Sequence, residues 1–260
     1  MEGYLDSIPT GWYAAFQAGV RMTAPNPKPN ARLKLLEAAM SEIRIRGFCA
    51  TTVDDLCARA GVTKGAFFHH FKSKDDLGVA AAQHWSDVTS AFFAAAPYHT
   101  RSDPLARVIG YLEFRRQILQ GTVPEFTCLA GTMVQEVFET VPAIREACDR
   151  SISSHAARLE SDIAAAMAIH PPVCHIDPRS LALHTQAVLQ GAFILAKARS
   201  GPSIAIESVD HLIRYVKLLF GRTCEDLAAA DDCAGRAVSQ PADESMGGHG
   251  TGSEEESLSV

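Results

Sequence analysis

Residues 51–77 of the chain read TTVDDLCARAGVTKGAFFHHFKSKDDL, and this stretch decides the fold. Thr52 can cap a helix, because a hydroxyl at the N-cap accepts a hydrogen bond from a backbone N–H of the first turn. Asp55, three residues later, can complete a capping box. Gly61 stands where a left-handed helix C-cap favours glycine, and Thr63 can cap the next helix. The stretch therefore predicts two short helices separated by a tight turn.

This arrangement is that of a helix-turn-helix, whose second helix lies in the major groove of DNA. Val53, Leu56 and Ala60 form one apolar stripe on the first helix, and Val62 is predicted to pack in the turn. The second helix spans about two turns, enough to fill one groove window. The residues predicted to contact double-stranded DNA are Thr52, Thr63, Lys64, Gly65, Ala66, Phe68, His69, Lys72 and Lys74.

The neighbouring sequence extends the pattern. Residues 71–77, FKSKDDL, begin a further helix, and residues 35–43 carry the apolar stripe of a preceding one. Together with GVTKG at residues 61–65, these segments closely resemble the N-terminal domain of the TetR family of transcriptional regulators. The resemblance covers about residues 31–78 and is specific, because spacing and residue type agree across four elements.

One position departs from the family pattern. The family usually has a tyrosine, whose hydroxyl contacts a phosphate, where this chain has Phe68. The resemblance therefore implies that other side chains carry more of the phosphate contact, namely Thr63, Lys64, His69, Lys72 and Lys74. Phe67 and Phe71 are interpreted as core residues.

The net charge of −6 is unusual for a DNA-binding protein, but it is unevenly distributed. Residues 222–260 hold nine acidic and two basic side chains, a net of −7, so the rest of the chain carries about +1. Residues 31–77 hold eight basic and six acidic side chains, a net of +2. The modest positive charge therefore lies where DNA is predicted to bind.

Cysteine usage and hydropathy indicate the compartment. Seven cysteines, an odd number, and an acidic N-terminus without a basic export signal predict a reduced, cytoplasmic protein. No apolar run reaches the length of a membrane span, so no membrane partner is expected. His170, Cys174 and His175 share a loop, but their spacing fits no zinc site, and we expect neither a metal nor a cofactor.

Helical periodicity, punctuated by proline and glycine, predicts an all-α fold with two domains. An N-terminal three-helix helix-turn-helix domain is predicted at residues 30–78, and its fourth, connecting helix continues to about residue 96. A helical effector-binding and dimerisation domain follows at residues 97–222. Its helices are predicted at about residues 104–120, 127–139, 142–169, 178–199 and 205–221. A flexible extension is expected at residues 1–29, where Met22 is an equally natural start, and a disordered acidic tail at residues 223–260.

The last two predicted helices are interpreted as a dimer surface. An apolar stripe on the final helix consists of Ile206, Val209, Leu212, Ile213, Val216, Leu219 and Phe220. Gly191, Ala192 and Leu195 offer a small-residue face on the helix before it. The resemblance implies that both helices pair with their twins in a homodimer, which fits a pseudo-palindromic operator. The alternative is burial of the stripe inside its own subunit.

A candidate sensor residue lies in the second domain. Residues 125–136 and 191–197 loosely resemble one branch of the family, in which a cysteine begins a pocket-lining helix and some members respond to electrophiles or oxidants. Thr127 is predicted to cap this helix, which places Cys128 in its first turn, where the helix dipole lowers a thiol pKa. Lys197 would add to this effect if it lies nearby. The other candidates for the effector pocket are Tyr111, Phe114, Met133 and Phe193. The alternative is an inert cysteine among ordinary core residues.

These observations predict a DNA-binding transcriptional regulator. The favoured interpretation is a repressor that a small-molecule or electrophile effector releases from its operator. A constitutive DNA-binding protein without an effector is an alternative. A helical enzyme is least favoured, because the sequence has no G-x-G-x-x-G, P-loop, G-x-S-x-G or H-E-x-x-H motif.

Overall fold

Ten α-helices and one 3-10 turn make up residues 30–222, the part of the chain that the computed structural model describes. The helices are α1 Ala31–Arg46, α2 Val53–Ala60, α3 Lys64–His70, α4 Lys74–Ala94, α5 Pro104–Gln117, α6 Val123–Phe126, α7 Leu129–Val137, α8 Pro142–Ile169, α9 Pro178–Arg199 and α10 Ser203–Leu219. These residues contain no strand, so the all-α prediction is confirmed for them. No helix among them is long and apolar enough to cross a membrane. The predicted extension at 1–29 and tail at 223–260 lie outside the described residues.

The first helices begin and end at their predicted caps. The backbone N–H of Asp55 donates to the Thr52 hydroxyl at 3.1 Å, and the N–H of Thr52 donates to the Asp55 carboxylate at 2.9 Å. Gly61 ends α2 in the left-handed region, at φ 62°. The hydroxyls of Thr63 and Ser73 accept from the first turns of α3 and α4. Local hydrogen bonding therefore sets the turn between α2 and α3.

The N-terminal helices share an apolar core. Helix α1 packs against α2, α3 and α4. Five fully buried side chains, one or more from each of these helices, fill the space between them: Leu35, Ile43, Leu56, Phe67 and Leu77. The prediction that Phe67 and Phe71 are core residues is confirmed, since Phe71 is buried as well.

The remaining helices surround α8, the longest one. Helix α8 packs against α4, α5, α7 and α9, and α10 packs against α5 and α9. Helix α4 thus contacts both the helix-turn-helix and the larger helical part. Residues 30–221 lie in one compact unit, and the division near residues 78–97 stays a prediction.

The entry into α7 differs from the expectation. Residues 123–126 form a one-turn helix of their own, and α7 begins at Leu129. Thr127 lies completely buried between the two helices and caps neither by its side chain. Cys128 is itself the N-cap of α7 and does not lie in the first turn. Pro124, at the first turn of α6, starts that short helix and thereby shifts the predicted boundary.

The prediction that the apolar stripe on α10 forms the dimer surface is wrong for most of its residues. Val209, Leu212, Val216, Leu219 and Phe220 are buried against their own subunit, and Ile206 and Ile213 are partly buried there. The stripe covers α5 and α9, because α10 is the outermost helix of its own bundle. On α9, Ala192 is buried, whereas Leu195 is exposed. A different apolar set is exposed on the same two helices, namely Leu183, Ile194, Leu195, Tyr215 and Leu218.

Candidate DNA-binding surface and effector cavity

Helix α3 is anchored by one face and presents the other. Phe67 is completely buried, whereas its neighbour Phe68 is 58% exposed. The Thr63 hydroxyl accepts from the Ala66 N–H at 3.2 Å and so fixes the start of the helix. The exposed residues on and beside α3 include Thr63, Lys64, Gly65, Phe68, His69 and Lys72, and Ala66 is half-buried. These residues belong to the predicted DNA-binding set, and all of them lie on α3 or within two residues of its ends.

Lys64 and Asp54 form an ion pair across the helix-turn-helix. The Lys64 ammonium lies 2.8 Å from the Asp54 carboxylate on α2, and both side chains are well exposed. The hydrogen bond and charge of Asp54 raise the pKa of Lys64, so the lysine stays cationic. An exposed pair of this kind is worth little stability, so the lysine can exchange Asp54 for a phosphate at low cost.

Two residues of the predicted DNA-binding set, Lys74 and Thr52, make hydrogen bonds within the protein. The Lys74 ammonium donates to the carbonyl oxygens of Phe48 at 3.0 Å, Thr51 at 3.1 Å and Cys49 at 3.4 Å. Its three donors are thus used inside the protein, which corrects the expectation that they face a phosphate. The Thr52 hydroxyl likewise donates to the Asp55 carboxylate at 2.7 Å within the capping box.

A cavity lies among α4, α5, α8 and α9. It leaves about 50 Å³ of space, room for a few water molecules. Its apolar walls are Trp85, Phe93, Ile118, Leu119, Phe126, Ile152, Leu189 and Phe193. Its polar lining consists of Thr89, Arg115, Cys128, Ser151, His155, Gln186 and Gln190. A mostly apolar cavity with a few converging polar groups is the usual form of a small-molecule site.

A polar network forms part of the cavity wall. The Tyr111 hydroxyl lies 2.9 Å from His155 Nε2 and accepts from Arg115 Nε at 3.0 Å and from Gln186 Nε2 at 3.3 Å. Arg115 Nη2 lies 2.8 Å from the same His155 nitrogen. The guanidinium carbon of Arg115 also lies 4.2 Å from the centre of the Phe93 ring. Burial, then the charges of Arg115 and Arg158, hold the pKa of His155 well below its usual range.

A second cavity of about 110 Å³ lies between α7 and α9. Cys128, Gln190 and Phe193 line both cavities and so form the wall between them. Lys197 lines the second cavity, and its ammonium donates to the Thr132 hydroxyl at 2.7 Å. The structure therefore brings Cys128 and Lys197 to one cavity, which meets the condition under which Lys197 would add to the effect of the helix dipole.

The thiols near this wall differ in exposure. Cys128 is half-buried, and its Sγ accepts from the Gly131 N–H at 3.4 Å. Cys148 is completely buried, which raises its pKa to about 12. The sequence predicts Cys49, Cys57 and Cys148 as small core residues; Cys57 is buried, but Cys49 is exposed and does not belong to the core. Of these four thiols, Cys128 is the one that lines a cavity.

The candidates for the effector pocket are only partly brought together. Phe193 lines both cavities beside Cys128. Tyr111 is buried in the polar network, and its ring helps to line a separate cavity with Tyr98 and Arg158. Met133 is completely buried, and Phe114 is buried against Phe92 and Phe93, so both are core residues. Arg115, His155 and Gln186 also line the first cavity, but they were not predicted as effector-pocket residues, because they lie apart in sequence.

Two side chains, Glu136 and Arg44, connect the cavity region to the helix-turn-helix. At the end of α7, the Glu136 carboxylate accepts from the Cys49 N–H, between α1 and α2, at 2.7 Å. The Arg44 guanidinium, on α1, donates to the Glu125 carbonyl at 3.3 Å and lies 5.1 Å from the ring of Trp85, a cavity residue on α4. A change in the cavity walls therefore has direct structural routes to the DNA-binding helices.

Metal-ligating side chains do not gather in the described region. Residues 30–222 contain no group of three or more histidine, cysteine or acidic side chains that could hold a metal ion. His170, from the loop considered above, lies with its Nε2 2.6 Å from the Asp103 carboxylate, which also caps α5. That contact ties the end of α8 to the start of α5.

Comparison with known proteins places the N-terminal helices in a known family. Residues 35–81 match the family described as "Bacterial regulatory proteins, tetR family". The transcriptional regulator AcuR of Cereibacter sphaeroides is 24% identical over 185 residues, which are 70% of this chain and 84% of that protein. The HTH-type transcriptional repressor KstR2 of Mycolicibacterium smegmatis is 40% identical over 53 residues, 20% of this chain and 26% of that protein.

Solved structures share the fold over most of the chain. A TetR-family regulator from Agrobacterium tumefaciens superposes with a TM-score of 0.63 at 18% identity, covering 71% of this chain and 96% of that one. The reduced form of NemR from E. coli superposes with a TM-score of 0.61 at 23% identity, covering 73% and 97%. At these identities the likeness concerns the fold.

Proposed function

We propose that this transcriptional regulator, whose N-terminal domain is a TetR-family helix-turn-helix, is a repressor that a small-molecule effector releases from a pseudo-palindromic operator. The observation that carries the proposal is the position of α4. This helix begins directly after the DNA-reading helix α3, and three of its residues, Trp85, Thr89 and Phe93, line the cavity. One rigid element therefore joins a candidate ligand site to the DNA-binding surface.

The proposed DNA contacts follow from exposure and chemistry. We assign base-edge contact to the tip of α3, at Lys64, Gly65 and Ala66. Phosphate contact is assigned to Lys72, His69 and the exposed start of α3 at Thr63, because helix N-termini and cations bind phosphate oxygens. Phe68, with no hydroxyl, contributes apolar contact to this surface.

Operator binding is proposed to require a homodimer. Two recognition helices on a two-fold axis would read two half-sites one or more helical turns apart. The exposed apolar residues of α9 and α10, which include Ile194, Leu195 and Leu218, support pairing through these helices. Exposed apolar side chains on adjacent helices favour association when they form a continuous patch. The proposed contact face is therefore this exposed set, whereas the buried α10 stripe packs inside its own subunit.

Release is proposed to follow from a shift in population between two conformations. An effector that binds one arrangement of α4 more tightly than the other moves the dimer toward it. If that arrangement holds the recognition helices at a spacing that misfits the operator, DNA affinity falls by the same coupling free energy. Such couplings amount to about 1–3 kcal/mol, or roughly 5- to 150-fold in affinity.

We also propose that electrophiles act through Cys128. The thiol lies at the wall between the two cavities, half-buried and within the same cavity as the Lys197 ammonium. A Cys128→Ser variant should keep DNA affinity and lose release by an electrophile such as N-ethylmaleimide. Cys49→Ser is the matched control, because Cys49 is exposed and lines neither cavity. Normal release of the Cys128→Ser variant would contradict this part of the proposal.

The central test is DNA binding by the full chain. Fluorescence anisotropy with the DNA that flanks the protein's own gene should show saturable, salt-dependent binding. Lys64→Ala and Lys72→Ala should each weaken it, whereas Arg150→Ala, an exposed arginine on α8, should not. Each lost phosphate contact should also reduce the slope of log affinity against log salt by about one. Failure to bind, or equal effects of all three variants, would refute the proposed surface.

A further inference from the structure

Arg115, the arginine in the cavity, has no acidic partner among residues 30–222. The arginine–carboxylate ion pairs within residues 30–222 involve Arg46, Arg59, Arg101, Arg107 and Arg116, and none of them includes Arg115. The contacts of the Arg115 guanidinium are to neutral groups: the Tyr111 hydroxyl, His155 Nε2 and two aromatic rings. A partly buried cation without a counter-charge is costly, because it has given up water without gaining an anion.

The neighbouring histidine supplies no counter-charge. His155 is held neutral, since burial and the nearby arginines keep its pKa well below the usual range. Arginine can only donate, so the 2.8 Å contact makes His155 Nε2 the acceptor for Arg115 Nη2, which holds the guanidinium against the cavity wall. The network orients the arginine and leaves its positive charge uncompensated.

We infer that the cavity binds a small monocarboxylate with an apolar body, whose carboxylate pairs with the Arg115 guanidinium. This inference rests on the proposed function, in which the cavity is the effector site. A guanidinium presents paired N–H donors that match the two oxygens of a carboxylate. The cavity contains a single cation, which favours a ligand of one negative charge over a doubly charged phosphate.

The rest of the lining fits the other end of such a ligand. Trp85, Phe93, Leu119 and Leu189 supply apolar surface. Gln186, Gln190 and Ser151 supply further neutral groups to satisfy carboxylate lone pairs. The space of about 50 Å³ holds a few water molecules, so a carboxylate with a short chain or a single ring requires the walls to move apart when it binds. Charge and polarity point to the same class of compound.

The experiment compares carboxylates with amides of the same shape. Binding of butyrate, butyramide, benzoate and benzamide to the full chain is measured by calorimetry and by thermal shift at pH 7. We expect each carboxylate to bind about 10- to 100-fold more tightly than its amide, the factor expected for charge-assisted hydrogen bonds. Arg115→Gln should remove this preference, and Arg115→Lys should retain part of it.

The adjacent arginine supplies a matched control. Arg116 lies on the same helix but is 48% exposed in its side chain and pairs with Asp210 at the surface. Arg116→Gln should leave the preference for carboxylates unchanged. The inference is overturned if wild-type protein binds the amides as tightly as the carboxylates, or if Arg115→Gln keeps the preference. Should Arg115→Gln fail to fold, the wild-type comparison and Arg115→Lys decide the outcome.

Measurement of the DNA complex separates this inference from the proposed function. If carboxylates bind through Arg115 but do not alter operator affinity, the ligand class stands and the effector role fails. If other compounds release the DNA and no carboxylate binds, the effector role stands and the carboxylate inference fails. The two claims can therefore be refuted independently.

Discussion

Replacement of Lys74 by methionine separates a structural role from a DNA-contacting role. The Lys74 ammonium satisfies the carbonyls of Phe48, Thr51 and Cys49 at 3.0 to 3.4 Å and lies 4.5 Å from the centre of the Phe48 ring. Methionine keeps the length of the side chain but removes these hydrogen bonds and the cation–π contact. Part of the loss is recovered by water, since the site is partly exposed.

The expected cost of Lys74→Met is about 2–3 kcal/mol, taken from one to two charge-assisted hydrogen bonds and a cation–π contact. For a helical unit of this size, that cost lowers the unfolding temperature by about 5–10 °C. Lys72→Met is the matched control, because Lys72 is exposed two residues earlier. It should leave the unfolding temperature within about 2 °C, as surface substitutions usually do.

The assay combines thermal unfolding with DNA affinity across a series of salt concentrations. Lys72→Met should reduce the slope of log affinity against log salt by about one, as for a lost phosphate contact. Lys74→Met should lower affinity mainly through the altered turn between α1 and α2, with the slope unchanged. The reasoning is refuted if Lys74→Met keeps its unfolding temperature and reduces the slope as Lys72→Met does.

Three further predictions concern other parts of the structure. Gly61→Ala should cost about 1 kcal/mol in urea denaturation, because Gly61 has φ 62°, and an unchanged midpoint would contradict a left-handed helix end there. Stability should fall as pH drops below the usual histidine pKa, by at most about 1.4 kcal/mol per pH unit from His155. Stability falls with falling pH because the unfolded chain binds a proton at His155 more readily than the folded protein does. His155→Gln should therefore reduce the dependence of the unfolding free energy on pH. A variant that loses stability as steeply as wild type would contradict this explanation. Glu136→Ala removes the acceptor for the Cys49 N–H and should cost about 1–2 kcal/mol; it should also weaken the response of the DNA complex to effector, measured by anisotropy.

Local chemistry is what the sequence revealed most reliably. The capping box at Thr52, the left-handed Gly61 and the hydroxyl cap at Thr63 all involve groups within a few residues of one another. Such interactions depend little on the rest of the fold, so their residue types and spacing predict them. The helix bounds at 142–169 and 178–199 agree with the structure for the same reason, since proline marks their starts.

Local residue patterns could not predict which distant helix covers an apolar face. An apolar stripe shows which face of a helix is covered but not which surface covers it. The α10 stripe was assigned to a partner subunit, and the structure buries most of it against α5 and α9. The exposed set that includes Leu183 and Tyr215 is spread over two helices, so no single stretch of sequence marks it as a group.

The cavity could not be predicted from the sequence, because its polar residues are far apart along the chain. Arg115 and His155 are 40 positions apart, and Tyr111 and Gln186 are 75 apart. No local spacing marks them as a group, because their contact depends on how α5, α8 and α9 pack. Cys128 could be singled out, because a cysteine at a predicted helix start carries its own chemical signal. The structure then supplied what the cysteine alone lacked, a cavity shared with Lys197.

Two helices extend from the cavity region to one short segment of the DNA-binding domain. On α7, the positions 128, 132 and 136 are four residues apart and so share a face. That face runs from the cavity wall at Cys128 to Glu136, whose carboxylate holds the Cys49 N–H, a span of about 12 Å. Helix α4 runs from Trp85, in the cavity, back to Lys74, whose ammonium holds the carbonyls of Phe48, Cys49 and Thr51.

Both helices therefore hold residues 48–51, the connection between α1 and α2. Because helices are stiff, a ligand that separates α4 from α7 at the cavity must either strain this connection or break the hydrogen bonds that Glu136 or Lys74 makes to it. Either change alters how α2 and α3 sit on α1, and the orientation of α3 determines whether two half-sites are read at once. Under the proposed function, an effector would not need to reach the recognition helix, because a small displacement between α4 and α7, imposed some 12 Å or more away, would be transmitted to it.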